Sequence, residues 1–160
     1  MKILIAYYTR TGNTERVAKD LAKKLEGDLE PISDKKRRTG IWGWILGGRD
    51  AMKKELTEIG PQSKDPTRYD LVILGSPVWS WTLVPAIRTY VEHQKKAFNN
   101  MAFFVTSGDT DAAKLQKAFE EASGKKMLAF AGFNTAELKD KETYAKKMDA
   151  FAQQIKSLNP

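Results

Sequence analysis

KILIAYYTRTGNTERVAKDLAKKL, residues 2 to 25, contains two hydrophobic periodicities joined by a polar hinge. Residues 2–8 form an apolar run that stops at Thr9, where hydroxyls and an amide gather around Gly12. Beyond the hinge, apolar side chains at 17, 18, 21, 22 and 25 trace one face of a helix. The segment reads as strand, polar loop, helix.

The same alternation runs through the chain. Strands are expected at about 2–8, 29–33, 69–76, 101–107 and 126–133, and helices at about 14–26, 46–58, 82–94, 111–123 and 141–157. Leu71-Val72-Ile73-Leu74 and Ala102-Phe103-Phe104-Val105 are apolar without alternation, as strands are when both faces of a sheet are covered. Tyr144, Met148, Phe151, Ile155 and Leu158 mark the buried face of the last helix. Five strands separated by helices predict an α/β fold, a doubly wound parallel sheet with helices on both faces.

The 160 residues suit a single domain spanning 1–160. Hydrophobic residues at 41% and charged residues at 29% are ordinary for a globular protein. No apolar run nears the ~18 residues of a membrane span, and the N-terminus does not read as a secretory signal. The absence of cysteine excludes disulfides and thiolate chemistry, and the expected location is cytoplasmic. The net charge of +7 is spread over helix faces where lysines sit beside acids; only Lys35-Lys36-Arg37-Arg38 is dense, and no nucleic-acid-binding module accompanies it. The long connection over 34–68 carries Trp42 and Trp44, read either as sheet-edge packing or as part of a functional insert.

Ligands of open parallel sheets bind beyond the carboxyl ends of the strands, so the loops there carry the chemistry. Thr9-Arg10-Thr11-Gly12-Asn13-Thr14 combines hydroxyls, an amide and the N-terminus of a helix, whose unpaired N–H groups and dipole favour an anion. Thr11 or Asn13 as a simple cap is the competing reading, but a cap needs one such side chain and this loop has several. Ser76-Pro77-Val78-Trp79-Ser80-Trp81 places two indoles at the ligand edge, where they either stack on a flat ring or pack inward. Thr106-Ser107-Gly108-Asp109 adds a glycine that permits close approach and an aspartate that either caps the next helix or meets the ligand. Phosphate at one end and a planar heterocycle at the other describe a mononucleotide, and a flavin needs contacts on its face rather than a catalytic side chain.

Other chemistries lack their residues. There is no G-x-x-x-x-G-K-[ST] and no G-x-G-x-x-G. A phosphatase of this topology would need a cysteine, and a phospho-accepting receiver would need clustered aspartates after strands one and three. His93 is the sole histidine and lies late in a helix, so a triad or a histidine metal site has little support. No catalytic side chain and no metal ligand are expected.

Together the three loops resemble the flavodoxin family. Thr9–Thr14 is similar to its phosphate motif, [ST]-x-T-G-x-T; Gly75-Ser76-Pro77-Val78-Trp79 to its ring-binding G-S-P-x-W; and Thr106-Ser107-Gly108-Asp109, in part, to its second ring-binding loop. The resemblance implies a flavodoxin-like five-stranded sheet of order 2-1-3-4-5, noncovalent FMN, and one-electron transfer between redox partners. It also implies cofactor binding by residues 9–14, by Ser76 to Trp81 and by Thr106 to Asp109. Trp79 would be the stacking aromatic, and Ser80 stands where the family often carries glycine. Three departures are visible: the basic charge in place of the family's usual acidity, no aromatic after Asp109, and a 34–68 connection like that of small flavodoxin-like proteins. The expected function is a soluble electron carrier, a monomer or weak dimer whose protein partners include acidic ones. The alternative is an FMN-dependent NAD(P)H:quinone-type oxidoreductase, which needs an open ring face.

Overall fold

The structure, a computed structural model, describes residues 1–35, 56–79, 82–108 and 112–158. Strand β1 (Ile3–Tyr7) is buried along its whole length and lies between two parallel neighbours. On one side is β2 (Asp28–Pro31), on the other β3 (Leu71–Trp79). Strands β5 (Met101–Ser107) and β6 (Ala129–Asn134) continue the sheet in parallel, giving the order β2-β1-β3-β5-β6. A two-residue strand, β4 (Thr82–Leu83), pairs antiparallel with the end of β3. Counting the parallel strands alone, the order is the expected 2-1-3-4-5.

The unbroken apolar runs have the cause inferred from the sequence. Successive side chains of a strand point to opposite faces. Ile3, Ile5 and Tyr7 join Leu71, Ile73 and Phe104 against two helices, α1 (Asn13–Leu25) and the final α5 (Lys141–Lys156). Leu4 and Ala6 join Val72, Leu74, Phe103 and Val105 against α2 (Pro85–Gln94) and α3 (Ala112–Ser123). Phe103 and Phe119 stack with centroids 3.9 Å apart. Two cores thus cover the two faces of the sheet.

Several boundaries differ from the sequence expectation, each for a local reason. β3 extends to Trp79 rather than ending at 76, because pairing with β4 takes over where pairing with β5 stops at Pro77. The helix expected from 82 begins at Pro85: Thr82 and Leu83 belong to β4, and proline keeps Val84 extended while suiting the first helical position. A five-residue helix, α4 (Thr135–Lys139), intervenes between β6 and α5, closed by a capping box of Asn134 and Glu137. Of the helix expected over 46–58, residues 56–58 are described and are not helical. Glu58 carbonyl accepts from Lys35 N–H, and Asp34 bridges Ile59. Trp42, Trp44 and the basic residues 36–38 lie outside the described residues.

The returning end of this connection is tied to the sheet edge. Glu30 of β2 is buried, and its carboxylate accepts from the N–H and hydroxyl of Ser63 and from Lys64 N–H at 2.7–3.2 Å. Covering an edge strand this way removes it as a template for pairing with another chain.

Candidate functional site

The sheet's carboxyl edge opens on a cleft of about 240 Å³. It is lined by Arg10, Thr11 and Asn13 from the first loop, Pro77, Val78 and Trp79 from β3, and Thr106, Ser107 and Gly108 from β5. Thr135, at the start of α4, completes the described wall. Three loops far apart in sequence therefore meet in one cavity.

The first loop leaves the sheet late, because Tyr8 N–H still donates to Gly75 carbonyl at 3.0 Å. Thr9 hydroxyl then accepts from Gly12 N–H at 3.1 Å, which curls the chain into α1. Gly12 occupies the cap position at φ +91, a left-handed conformation that glycine adopts without steric cost. No side chain caps this helix. The capping role weighed for Thr11 and Asn13 is thus not taken, and both side chains line the cleft instead. The first-turn N–H groups of α1 point out of the helix end with the positive end of its dipole behind them.

Opposite stands Trp79, half-buried on the β3–β4 hairpin. Its indole meets the Tyr8 ring edge-on, with centroids 5.8 Å apart and planes at 88°. The Arg10 guanidinium carbon lies 5.7 Å from the indole centroid, within range of a cation–π contact. Arg10 is the one charged side chain among the described residues that line the cleft. None of these described residues is a carboxylate, histidine or cysteine.

Some expected site residues lie behind the wall. Thr14 is 1% exposed, and its hydroxyl is 2.8 Å from that of Thr106. Ser76 is fully buried and donates its hydroxyl to Pro77 carbonyl at 2.8 Å. Gly75 serves packing: a Cβ there would lie 2.3 Å from Phe104 Cζ. Gly108 is exposed, with nothing within 4 Å of where its Cβ would be. Ser80, Trp81 and Asp109 lie outside the described residues.

Thr135 was missed by reading only the loops after the first, third and fourth parallel strands. Its hydroxyl donates to Ser107 carbonyl at 3.2 Å, joining the last loop to the cleft. Asn134-Thr135-Ala136-Glu137 is a capping-box pattern directly after a strand and marks a helix start at the ligand edge. Burial alone would raise the Glu137 carboxyl, but Lys147 and the Asn134 N–H outweigh it and hold it below the ordinary carboxylate value. Burial, with Glu15 adding to it, pushes the Tyr7 hydroxyl up, so the residue stays neutral beneath the loop.

Among the described residues no group of acids and histidines could hold a metal ion, and no helix is long and apolar enough to cross a membrane. A family model described as Flavodoxin matches residues 2–141. No curated protein matches the sequence. Among solved structures, a Lactobacillus acidophilus flavoprotein in complex with FMN is similar at 25% identity. The alignment covers 86% of this chain and 96% of that one, with a TM-score of 0.73. A Bacteroides eggerthii protein assigned as a flavoprotein is 26% identical over 94% of this chain and 98% of its own, with a TM-score of 0.72. Oxidised flavodoxin 1 of Bacillus cereus, 17% identical over 99% of this chain and 100% of its own at a TM-score of 0.57, shares the fold.

Proposed function

Because the chain belongs to the flavodoxin family, we propose that it binds FMN in the cleft and serves as an electron carrier between redox proteins. The observation that carries the reading is that the uncapped N-terminus of α1 and the indole of Trp79 open on the same cavity. One wall suits a phosphate and the other suits a planar ring. The donor set fits: the Thr11 hydroxyl, the Asn13 amide and first-turn N–H groups are neutral or weakly positive partners for a dianion.

In this reading the first loop binds the phosphate, and Trp79 lies against the ring with Tyr8 buttressing the indole from its edge. Pro77 and Val78 exclude water from the ring's side of the cleft. When bound, FMN supplies the one- and two-electron redox chemistry that no side chain here provides. Arg10 places a positive charge beside the cleft, which favours binding of anionic groups at modest strength in a partly solvated site.

The test is a titration of the full chain with FMN and with riboflavin, followed by absorbance and fluorescence. FMN binding clearly tighter than riboflavin supports the reading; equal affinities remove the phosphate from it. The +7 charge favours a second reading, direct oxidation of an anionic nicotinamide cofactor followed by reduction of a quinone. Anaerobic addition of NADH or NADPH separates the two: a carrier keeps its oxidised flavin spectrum, and a reductase loses it within turnover times.

A further inference from the structure

The hydroxyl of Thr135 donates to Ser107 carbonyl at 3.2 Å on the exposed rim of the cleft. Helix α4 does not need that hydroxyl as a cap, because the capping box of Asn134 and Glu137 is complete without it. What the bond does fix is the direction of one peptide group at the end of β5.

Alternate residues of a parallel strand turn their backbone groups to opposite neighbours. Asn100, just before β5, accepts from Val72 N–H of β3 at 3.0 Å, and Met101 accepts from Leu128 N–H on the β6 side at 2.8 Å. The two registers then run without a break to Thr106 against Pro77 and to Ser107 against Asn134. Ser107 carbonyl therefore faces the β6 side, where Thr135 meets it. A trans peptide group is planar, so the N–H of Gly108, in the same group, points the other way. That way lies β3. Its pairing with β5 stops at Pro77, and Val78 and Trp79 pair with β4 instead. No described residue accepts from Gly108 N–H. Gly108 lines the cleft with Val78 and Trp79, and nothing lies within 4 Å of where its Cβ would be, so a ligand can approach its backbone closely.

We propose that Thr135 is a positioning residue for the ring end of the cleft: by holding Ser107 carbonyl, its hydroxyl aims Gly108 N–H at the polar edge of the bound flavin ring. The proposal rests on the FMN reading above. Thr135 acts through the Ser107–Gly108 peptide rather than on the flavin itself. Helix α4 gives it a fixed platform. Leu138 is buried and its carbonyl accepts from Arg16 of α1 at 2.8 Å, while Lys147 of α5 pairs with Glu137 at 2.6 Å.

The test uses the full chain with FMN and with riboflavin, in wild type, Thr135→Val and Thr135→Ser. Fluorescence titration gives the affinities, and hydrogen exchange detected by NMR follows the Gly108 amide. In wild type either flavin should slow exchange of that amide about tenfold relative to the free protein. Thr135→Val should weaken FMN and riboflavin alike, by about three- to fivefold, the scale of one neutral hydrogen bond. It should also remove most of the protection that flavin gives Gly108 while leaving the amides of Phe104 and Val105 protected, which a general loss of stability would not do. Thr135→Ser keeps the hydroxyl and should restore both affinity and protection.

Unchanged affinities and unchanged Gly108 protection in Thr135→Val overturn the proposal, and so does a loss confined to FMN, which would put the influence of Thr135 at the phosphate. The wild-type exchange measurement needs no variant, so a Gly108 amide that flavin leaves unprotected overturns the proposal even where Thr135→Val fails to fold. A wild type that binds neither flavin removes the FMN reading and the proposal together. Flavin binding with a phosphate preference but no protection of Gly108 refutes the proposal alone.

Discussion

Gly75→Ala probes how tightly the floor of the cleft is built. The added methyl carbon would lie 2.3 Å from Phe104 Cζ, 2.7 Å from Cε1 and 3.0 Å from Cε2. Carbon atoms in contact prefer roughly 3.5–4.0 Å, so the ring must retreat by about 1 Å. It has nowhere easy to go. Phe104 is fully buried and meets the edge of Phe133, with centroids 6.5 Å apart. Overpacking of this kind costs about 1–3 kcal/mol, and three contacts below the normal limit place the change near the upper end. For a domain of this size, that lowers the melting temperature by roughly 5–10 °C. Phe104→Leu removes the colliding atoms, so the double variant Gly75→Ala, Phe104→Leu should be more stable than the sum of the single changes allows. Urea denaturation of the four proteins gives the coupling energy, expected at 1 kcal/mol or more in the compensating direction. Additive changes, or a Gly75→Ala variant within about 0.5 kcal/mol of wild type, would refute the packing argument.

Three further outcomes are expected. Trp79→Ala should recover much of the flavin fluorescence that the stacked indole quenches; recovery in Trp81→Ala but not in Trp79→Ala would place the ring elsewhere. Thr11→Ala should weaken FMN about tenfold without affecting riboflavin, the scale of one hydrogen bond to a charged group; the paired titrations check it, and parallel losses count against a phosphate contact. Glu137 has a folded pKa below its ordinary value of 4.5, so its stabilising contribution is full above that value and is lost as pH falls through the lowered one. Thermal melts of wild type and Glu137→Gln should therefore differ by a constant amount above pH 4.5 and converge in more acid solution, and a gap that persists there would mean the charge plays no part.

The parallel sheet is legible in the sequence because Ile3 to Tyr7 and Leu71 to Leu74 are apolar toward both faces, a pattern few other environments require. The first loop is legible as a strand–loop–helix junction because a polar cluster separates two hydrophobic periodicities, but that Gly12 takes the cap position at φ +91, in place of Thr11 or Asn13, is seen only in the structure. Other features depend on contacts that no local pattern records. Pro77 usually ends a strand, yet β3 continues because β4 folds back onto it. The spacing of Thr9, Thr11 and Thr14 says nothing about which hydroxyl faces inward. Thr14 is turned into the protein by Thr106, a residue on the far side of the chain. Thr135 escaped notice because a five-residue helix is too short to show a period.

The cleft's walls differ in how they are held, and this divides its work. Trp79 and Thr106 sit on paired strands backed by two cores, a backbone support that favours a fixed side-chain position. Arg10 and Thr11 sit on the loop between β1 and α1, which the Thr9–Gly12 bond curls into the helix. Planar stacking needs a fixed surface, because a ring gains most of its contact energy at one separation. A phosphate tolerates a more adaptable partner, since charge attraction falls slowly with distance and several donors can share it. On the proposed reading, the sheet sets the ring's environment, and the loop and helix end set the phosphate's. Substitutions in residues 9–13 should chiefly move affinity, whereas substitutions at Trp79 should chiefly move the optical and redox properties of the bound flavin.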